Sequence, residues 1–141
     1  MKRTILHVFD VNSTLDTVNN SLSTIKGLSG WWTKDVSGSA ALGDTIDFKF
    51  GAVFNPLMKV LQSGKNKIQW ECIGGEKAWA GDKFSFIMEE TKSMIKVTFT
   101  QEYSNEINDE QYGRFNFNWG YYMNSLKQYC ETGKGAPYTS K

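Results

Sequence analysis

The chain of 141 residues has one histidine, two cysteines and two prolines. A single His leaves no multi-histidine metal site. Cys72 and Cys130 lie far apart without Cys-x-x-Cys spacing, and two thiols alone cannot make a structural zinc site. They read as reduced thiols of a cytoplasmic protein, packed as small core residues. No metal or other cofactor is expected. Charge of one sign is also missing: 16 Lys plus Arg stand against 15 Asp plus Glu, for a net charge of +1. Without a basic excess, nucleic acid is not an expected partner. No apolar run approaches the roughly 18–20 residues of a membrane span, so a membrane is not expected either. The apolar stretch before Asp10 is too short for a secretory leader, whose core needs about 7–15 residues.

What the chain does have is aromatic mass: 5 Trp, 6 Tyr and 9 Phe, 14% of all residues. That load, with so little proline, argues for a folded chain. The length suits one domain over residues 1–141, which can bury roughly 68–70% of its unfolded surface. Residues 4–11 alternate as a strand. Ser13 with Asp16 has capping-box spacing, and Leu15, Val18, Leu22 and Ile25 recur at helical steps. Gly27 is the expected stop, and Leu28 to Thr33 a second brief helix. From Lys34 to Asn105 the period becomes two. Ile46, Phe48 and Phe50 form one apolar face. Ile68, Trp70 and Cys72 form another, as do Phe84, Phe86 and Met88, and Ile95, Val97 and Phe99. Leu57–Leu61 adds a further strand. The short connections between them imply antiparallel pairing. After Asn105 helical spacing returns through Phe115, Trp119, Tyr122, Met123 and Leu126. The spacing predicts a long helix over roughly Gln111 to Thr132, ended by Gly133, and then a polar tail that frays.

This order gives an α+β fold. One curved antiparallel sheet buries its aromatic faces against the only element long enough to cover them, the C-terminal helix. A bent sheet cannot touch a straight helix along its whole length, so an apolar cavity between them is expected. Chemistry outside that space is thin. His7 is the only histidine available to a Ser-His-acid triad, and no nucleophile-elbow sequence accompanies it. The carboxylates, Asp47 and Glu71 among them, alternate against apolar neighbours and should face water. Gly133-Lys134-Gly135 follows a helix, so it reads as a C-cap, not a phosphate loop. No catalytic and no metal-ligating residue is assigned, and the chain reads as a non-enzyme.

Several segments together resemble a known family. Gly27-Leu28-Ser29-Gly30-Trp31-Trp32-Thr33 is followed by Leu42-Gly43-Asp44-Thr45-Ile46-Asp47-Phe48-Lys49-Phe50. Later come Met58-Lys59-Val60, Ile68-Gln69-Trp70-Glu71-Cys72 and Trp79-Ala80-Gly81. The end reads Trp119-Gly120-Tyr121-Tyr122-Met123 and then Ser125 to Gly135. Over nearly the whole chain this is similar to the activator of heat-shock protein 90 ATPase homologue-like family, in the START, polyketide-cyclase and Bet v allergen-like (SRPBCC) superfamily. The resemblance implies the helix-grip fold: seven antiparallel strands around a long C-terminal helix, with two short helices after the first strand. Many relatives carry Gly-Thr where this chain has Gly81-Asp82, an aspartate expected at a strand entrance with altered solvation.

The expected ligand site follows from the aromatic faces. Trp31, Phe48, Phe50, Trp70, Phe84, Phe86, Phe99, Trp119 and Met123 converge between sheet and helix, where they serve as core or as cavity wall. Tyr122 on the helix and Gln62 at a strand end are the polar rim. Trp70 and Trp119 are expected to meet across the interface. The expected partner is a small apolar or aromatic ligand, bound without catalysis. Two alternatives stand beside it: a chaperone-activator-like interaction domain, and a cyclase- or hydrolase-type enzyme. Chaperone activators proper carry an additional N-terminal domain, for which this chain has no room, so the first alternative ranks below ligand binding.

Overall fold

The computed structural model describes residues 2–139. Met1, Ser140 and Lys141, and so the outer ends of the expected domain, lie outside the described residues. The first strand, β1 (Thr4–Val11), leads into two short helices, α1 (Leu15–Ser23) and α2 (Ile25–Trp31). Then come β2 (Val36–Gly38), β3 (Thr45–Phe48), β4 (Leu57–Ser63) and β5 (Lys67–Gly74). A 3-10 turn at Lys77–Trp79 precedes β6 (Lys83–Glu90), β7 (Ile95–Glu102) and the long helix α3 (Asp109–Thr132). The seven strands make one curved sheet in the order β1-β7-β6-β5-β4-β3-β2, with every neighbouring pair antiparallel. Strands β2 to β7 form a meander, and β1 returns to pair with β7.

Local chemistry explains the boundaries and moves several of them. The cap of α1 is Thr14, not Ser13: the Thr14 side chain accepts from the Thr17 N–H at 3.1 Å. The Ser13 N–H is engaged one turn earlier, with the Val11 carbonyl. Such a cap contributes about 1 kcal/mol. Thr24 ends α1 and caps α2, accepting from the Gly27 N–H at 2.9 Å. Gly27 is therefore inside α2 and is not a stop. It is the point where α2 passes α1, and a Cβ there would lie 2.4 Å from the Asn20 carbonyl oxygen. Strand β3 stops at Phe48, two residues before the expected end; Phe50 instead closes a tight loop by donating its N–H to the Phe54 carbonyl. Gly133 has φ +82° and ends α3 by donating its N–H to Tyr129, as expected.

The tail is the largest departure. Through Tyr138 it is docked, not frayed. The Tyr138 N–H donates to the Trp32 carbonyl at 2.9 Å, and the Lys34 N–H donates to the Tyr138 carbonyl at 3.0 Å. The Ser125 hydroxyl joins the same region, donating to the Trp31 carbonyl and accepting from the Ala136 N–H.

Inward strand positions and α3 enclose an almost continuous aromatic core. Phe48, Trp70, Phe84, Phe86 and Phe99 are fully buried. Trp119 of α3 lies 4.4 Å, ring centroid to centroid, from Phe99 of the sheet. Cys72 and Cys130 are both buried and free.

Candidate functional site

At one end of the sheet–helix interface the packing opens into a groove of about 560 Å³. Helix α3 supplies one wall. Phe115, Trp119 and Tyr122 are spaced four and three residues apart, which puts them on one helical stripe. Phe117, Asn118 and Tyr121 continue the wall to the mouth. The loop after β3 supplies Phe50 and Phe54, the 3-10 turn supplies Trp79, and the docked tail supplies Tyr138. Trp32, the residue after α2, closes the floor. Every wall side chain but Asn118 is aromatic, and none is charged.

Trp32 decides where this groove lies. Its indole is stacked between two others, with ring centroids 6.0 Å from Trp70 and 5.0 Å from Trp119. Trp70 and Trp119 therefore do not meet directly. Trp32 also packs 4.4 Å from Phe48, so it fills the centre of the interface. The space left over is displaced towards the loop after β3, where Phe50 and Phe54 stand 5.6 Å apart.

Of the residues expected to bind ligand, the structure brings Phe50, Trp119 and Tyr122 to the groove. Trp31, Phe48, Trp70, Phe84, Phe86, Phe99 and Met123 belong to the close-packed interior and do not line it. Trp31, for example, is fixed by donating its Nε1–H to the Ser21 carbonyl at 2.8 Å. Gln62 is exposed on β4 and lies outside the wall. Strand and helix periods missed Trp32, Phe54, Trp79, Phe117, Tyr121 and Tyr138 as wall residues. Phe115 carried a usable signal, its phase with Trp119 and Tyr122. Tyr138 carried none, because its place depends on docking of the tail.

Behind Trp119 runs a buried hydrogen-bonded chain. The indole Nε1–H donates to Gln101 Oε1 at 2.7 Å. Gln101 Nε2 donates to Asp82 Oδ2 at 3.0 Å, and the Ser104 N–H donates to Asp82 Oδ1 at 2.7 Å. Asp82 stands at the entrance of β6, as expected, and is fully buried. Burial pushes its carboxyl pKa upwards, and the two donated hydrogen bonds hold it down in part. Burial likewise raises the hydroxyl pKa of Tyr103 well above the tyrosine range, with the nearby Asp82 charge adding to it. The Trp79 indole N–H and the Tyr103 hydroxyl approach each other without meeting hydrogen-bond geometry. At the groove itself, burial and then the neighbouring Tyr121 and Tyr138 hydroxyls raise the pKa of Tyr122, which stays a neutral donor at pH 7.

A curved seven-stranded antiparallel sheet closed over a C-terminal helix, with an aromatic groove at one end, defines the helix-grip class. Comparison with solved structures narrows the class. The solution structure of the Aha1 dimer from Colwellia psychrerythraea is 31% identical, covers 94% of this chain and 99% of its own, and superposes with a TM-score of 0.83. The chain belongs to this Aha1-like family, the activator of heat-shock protein 90 ATPase homologue-like branch of the SRPBCC superfamily. More distant likenesses show the fold alone. A Staphylococcus saprophyticus protein is 18% identical over 97% of this chain and 100% of its own, with a TM-score of 0.73. CalU16 from Micromonospora echinospora is 10% identical over 96% of this chain and 78% of its own, with a TM-score of 0.76. No protein-family profile matches the chain, and no curated protein does.

Proposed function

We propose that this chain is a cytoplasmic single-domain binding module that takes a small, uncharged apolar or aromatic molecule into the groove, without chemistry of its own. One observation carries the reading: a groove of about 560 Å³ walled almost wholly by aromatic rings and free of charged side chains. Burying apolar ligand surface there is favourable by roughly 25 cal/mol per Å². The rings favour planar partners, which can stack or meet them edge-on. Asn118 and the hydroxyls of Tyr122 and Tyr138 are the polar groups available to orient a bound molecule. A carboxylate would find no cation in the wall, so a fatty acid fits less well than a neutral planar compound.

The test uses 1-naphthol as probe. Saturable quenching of tryptophan emission, with a rise in melting temperature, is expected because a ligand bound only to the native state stabilises it. Phe117 is 78% exposed, so Phe117→Lys should leave the fold intact while putting a charge at the groove mouth and weakening binding. Quenching that never saturates, or binding indifferent to both Phe117→Lys and Tyr122→Ala, would remove this reading.

A chaperone-activator-like interaction is the second reading. Kinship with the Colwellia protein supports it, as do the exposed aromatics Phe117 and Tyr121 on one side of α3. A pull-down that depends on those two rings and ignores 1-naphthol would favour it.

A further inference from the structure

The chain does not leave the groove when α3 ends. Gly133 turns it, and Gly135 carries it so close to α2 that a Cβ there would lie 2.6 Å from the Gly30 carbonyl oxygen and 2.9 Å from that of Ser125. Only glycine fits this crossing. Pro137 keeps the next residues extended, because its ring bars Ala136 from helical geometry. The tail then forms a one-residue parallel bridge between Tyr138 and Thr33.

That bridge brackets the groove floor. The Tyr138 N–H donates to the Trp32 carbonyl, and the Tyr138 carbonyl accepts from the Lys34 N–H. The Tyr138 ring stands 5.6 Å from that of Phe50, and a Cβ at Gly51 would lie 2.9 Å from its hydroxyl. Tyr138 therefore spans from the backbone of Trp32 to the loop after β3. The closure is lightly held. Tyr138 is half-buried, Lys134 and Ala136 are exposed, and no tail residue belongs to the buried core. A segment with so few buried apolar contacts opens without the rest of the fold. Opening takes away the ring beside Phe50, and with it one wall of the groove.

We propose that Gly133–Tyr138 is a strap over the groove: docked, it places Tyr138 against a bound flat, neutral aromatic molecule, and open, it lets that molecule go. The proposal rests on the reading of the groove as an aromatic-ligand site. A ligand that touches Tyr138 binds the docked state more tightly, and by linkage it holds the strap shut by the same factor.

Titration with 1-naphthol and amide hydrogen exchange, both on the full chain, test the strap. Gly135→Ala cannot keep the close crossing, so it should free the tail and leave the other groove walls in place. Tyr138→Ala removes the ring itself. Each should raise the Kd for 1-naphthol about tenfold. The double variant should bind no worse than the weaker single one, because Gly135 acts through Tyr138. The Lys34 and Tyr138 amides should be protected in the native chain, lose that protection in Gly135→Ala, and exchange about tenfold more slowly under saturating 1-naphthol. A Kd unchanged in both variants overturns the strap and leaves the groove as a binding site. A native chain that does not bind 1-naphthol removes both readings. Exchange at Lys34 and Tyr138 that ignores bound 1-naphthol makes Tyr138 a fixed wall and overturns the strap. So does tighter binding by Gly135→Ala, which would make the tail an obstruction. If Gly135→Ala does not fold, Tyr138→Ala and the exchange rates of the native chain decide.

Discussion

The Trp119–Gln101–Asp82 chain ties the groove wall to the core, and a double-mutant cycle measures that tie. Gln101→Leu keeps the shape but strips the Trp119 Nε1–H of its acceptor at 2.7 Å and Asp82 of one of its two donors. Trp119 is 2% exposed and Asp82 fully buried, so water does not replace either partner. Each orphaned buried group costs about 1–3 kcal/mol, which puts Gln101→Leu near 2–5 kcal/mol. Trp119→Phe keeps a ring against Phe99 and orphans only Gln101 Oε1, for about 1–3 kcal/mol. Both changes delete the same bond. The double variant should therefore be less destabilised than the sum of the singles by about 1 kcal/mol or more. Urea unfolding followed by circular dichroism gives all four free energies. In thermal melts, Gln101→Leu should lower the midpoint by about 10 °C, at roughly 3–5 °C per kcal/mol for a chain of this size. Additivity within about 0.5 kcal/mol would show that the hydrogen bond holds nothing in place, and the link from Asp82 to the groove would fall.

Other outcomes are equally direct. The Asp82 carboxyl, pushed up by burial, should titrate above the ordinary aspartate range by carboxyl ¹³C NMR. Its contribution to stability is then fully present below the ordinary aspartate pKa and declines as pH rises through the raised native value. A midpoint at or below the ordinary value would contradict that. Glu131 behaves in the opposite sense. The Asn12 N–H and then Lys127 pull its pKa down. The advantage of the native chain over Glu131→Gln should thus be present above the usual glutamate range and vanish as pH falls through the lowered value. Cys72 and Cys130 are buried thiols with raised pKa values, so Ellman's reagent should label them slowly until the chain is unfolded. Prompt labelling of the native chain would show an opening at β5 or at the end of α3. Gly133→Ala has open space for its methyl group but must hold φ at +82°. A loss of about 1–2 kcal/mol is expected in chemical denaturation, and no loss would mean the helix end refolds around the change.

The sheet was largely legible because each long strand has one dry face. Ile68, Trp70 and Cys72 alternate against Gln69 and Glu71, and the structure buries the first set. Strand β2 was not legible, since three residues carry no period. The groove was harder for a different reason. Alternation shows that Phe86 or Phe99 points inward, but not whether the inside is already full. What fills it is Trp32, the residue after α2, in a position where neither period applies. The family resemblance runs through Trp31-Trp32 but does not mark Trp32 as the plug. Asp82 was legible as a strand-entrance residue but not as a buried one, because its two donors, Gln101 and the Ser104 N–H, sit about twenty residues downstream.

The return of β1 to β7 has a consequence for synthesis on the ribosome. Thr4 pairs with Glu102, so the first strand made has no hydrogen-bonding neighbour until the last strand emerges. At about 5–20 residues per second, that wait is on the order of 5–20 s. During it, the meander from β2 to β6 can form from near neighbours, while β1 has both of its edges open. Pairing over such a sequence separation is also intrinsically slow. The nascent chain therefore spends its longest vulnerable interval with Ile5, Leu6, Val8 and Phe9 without a strand partner.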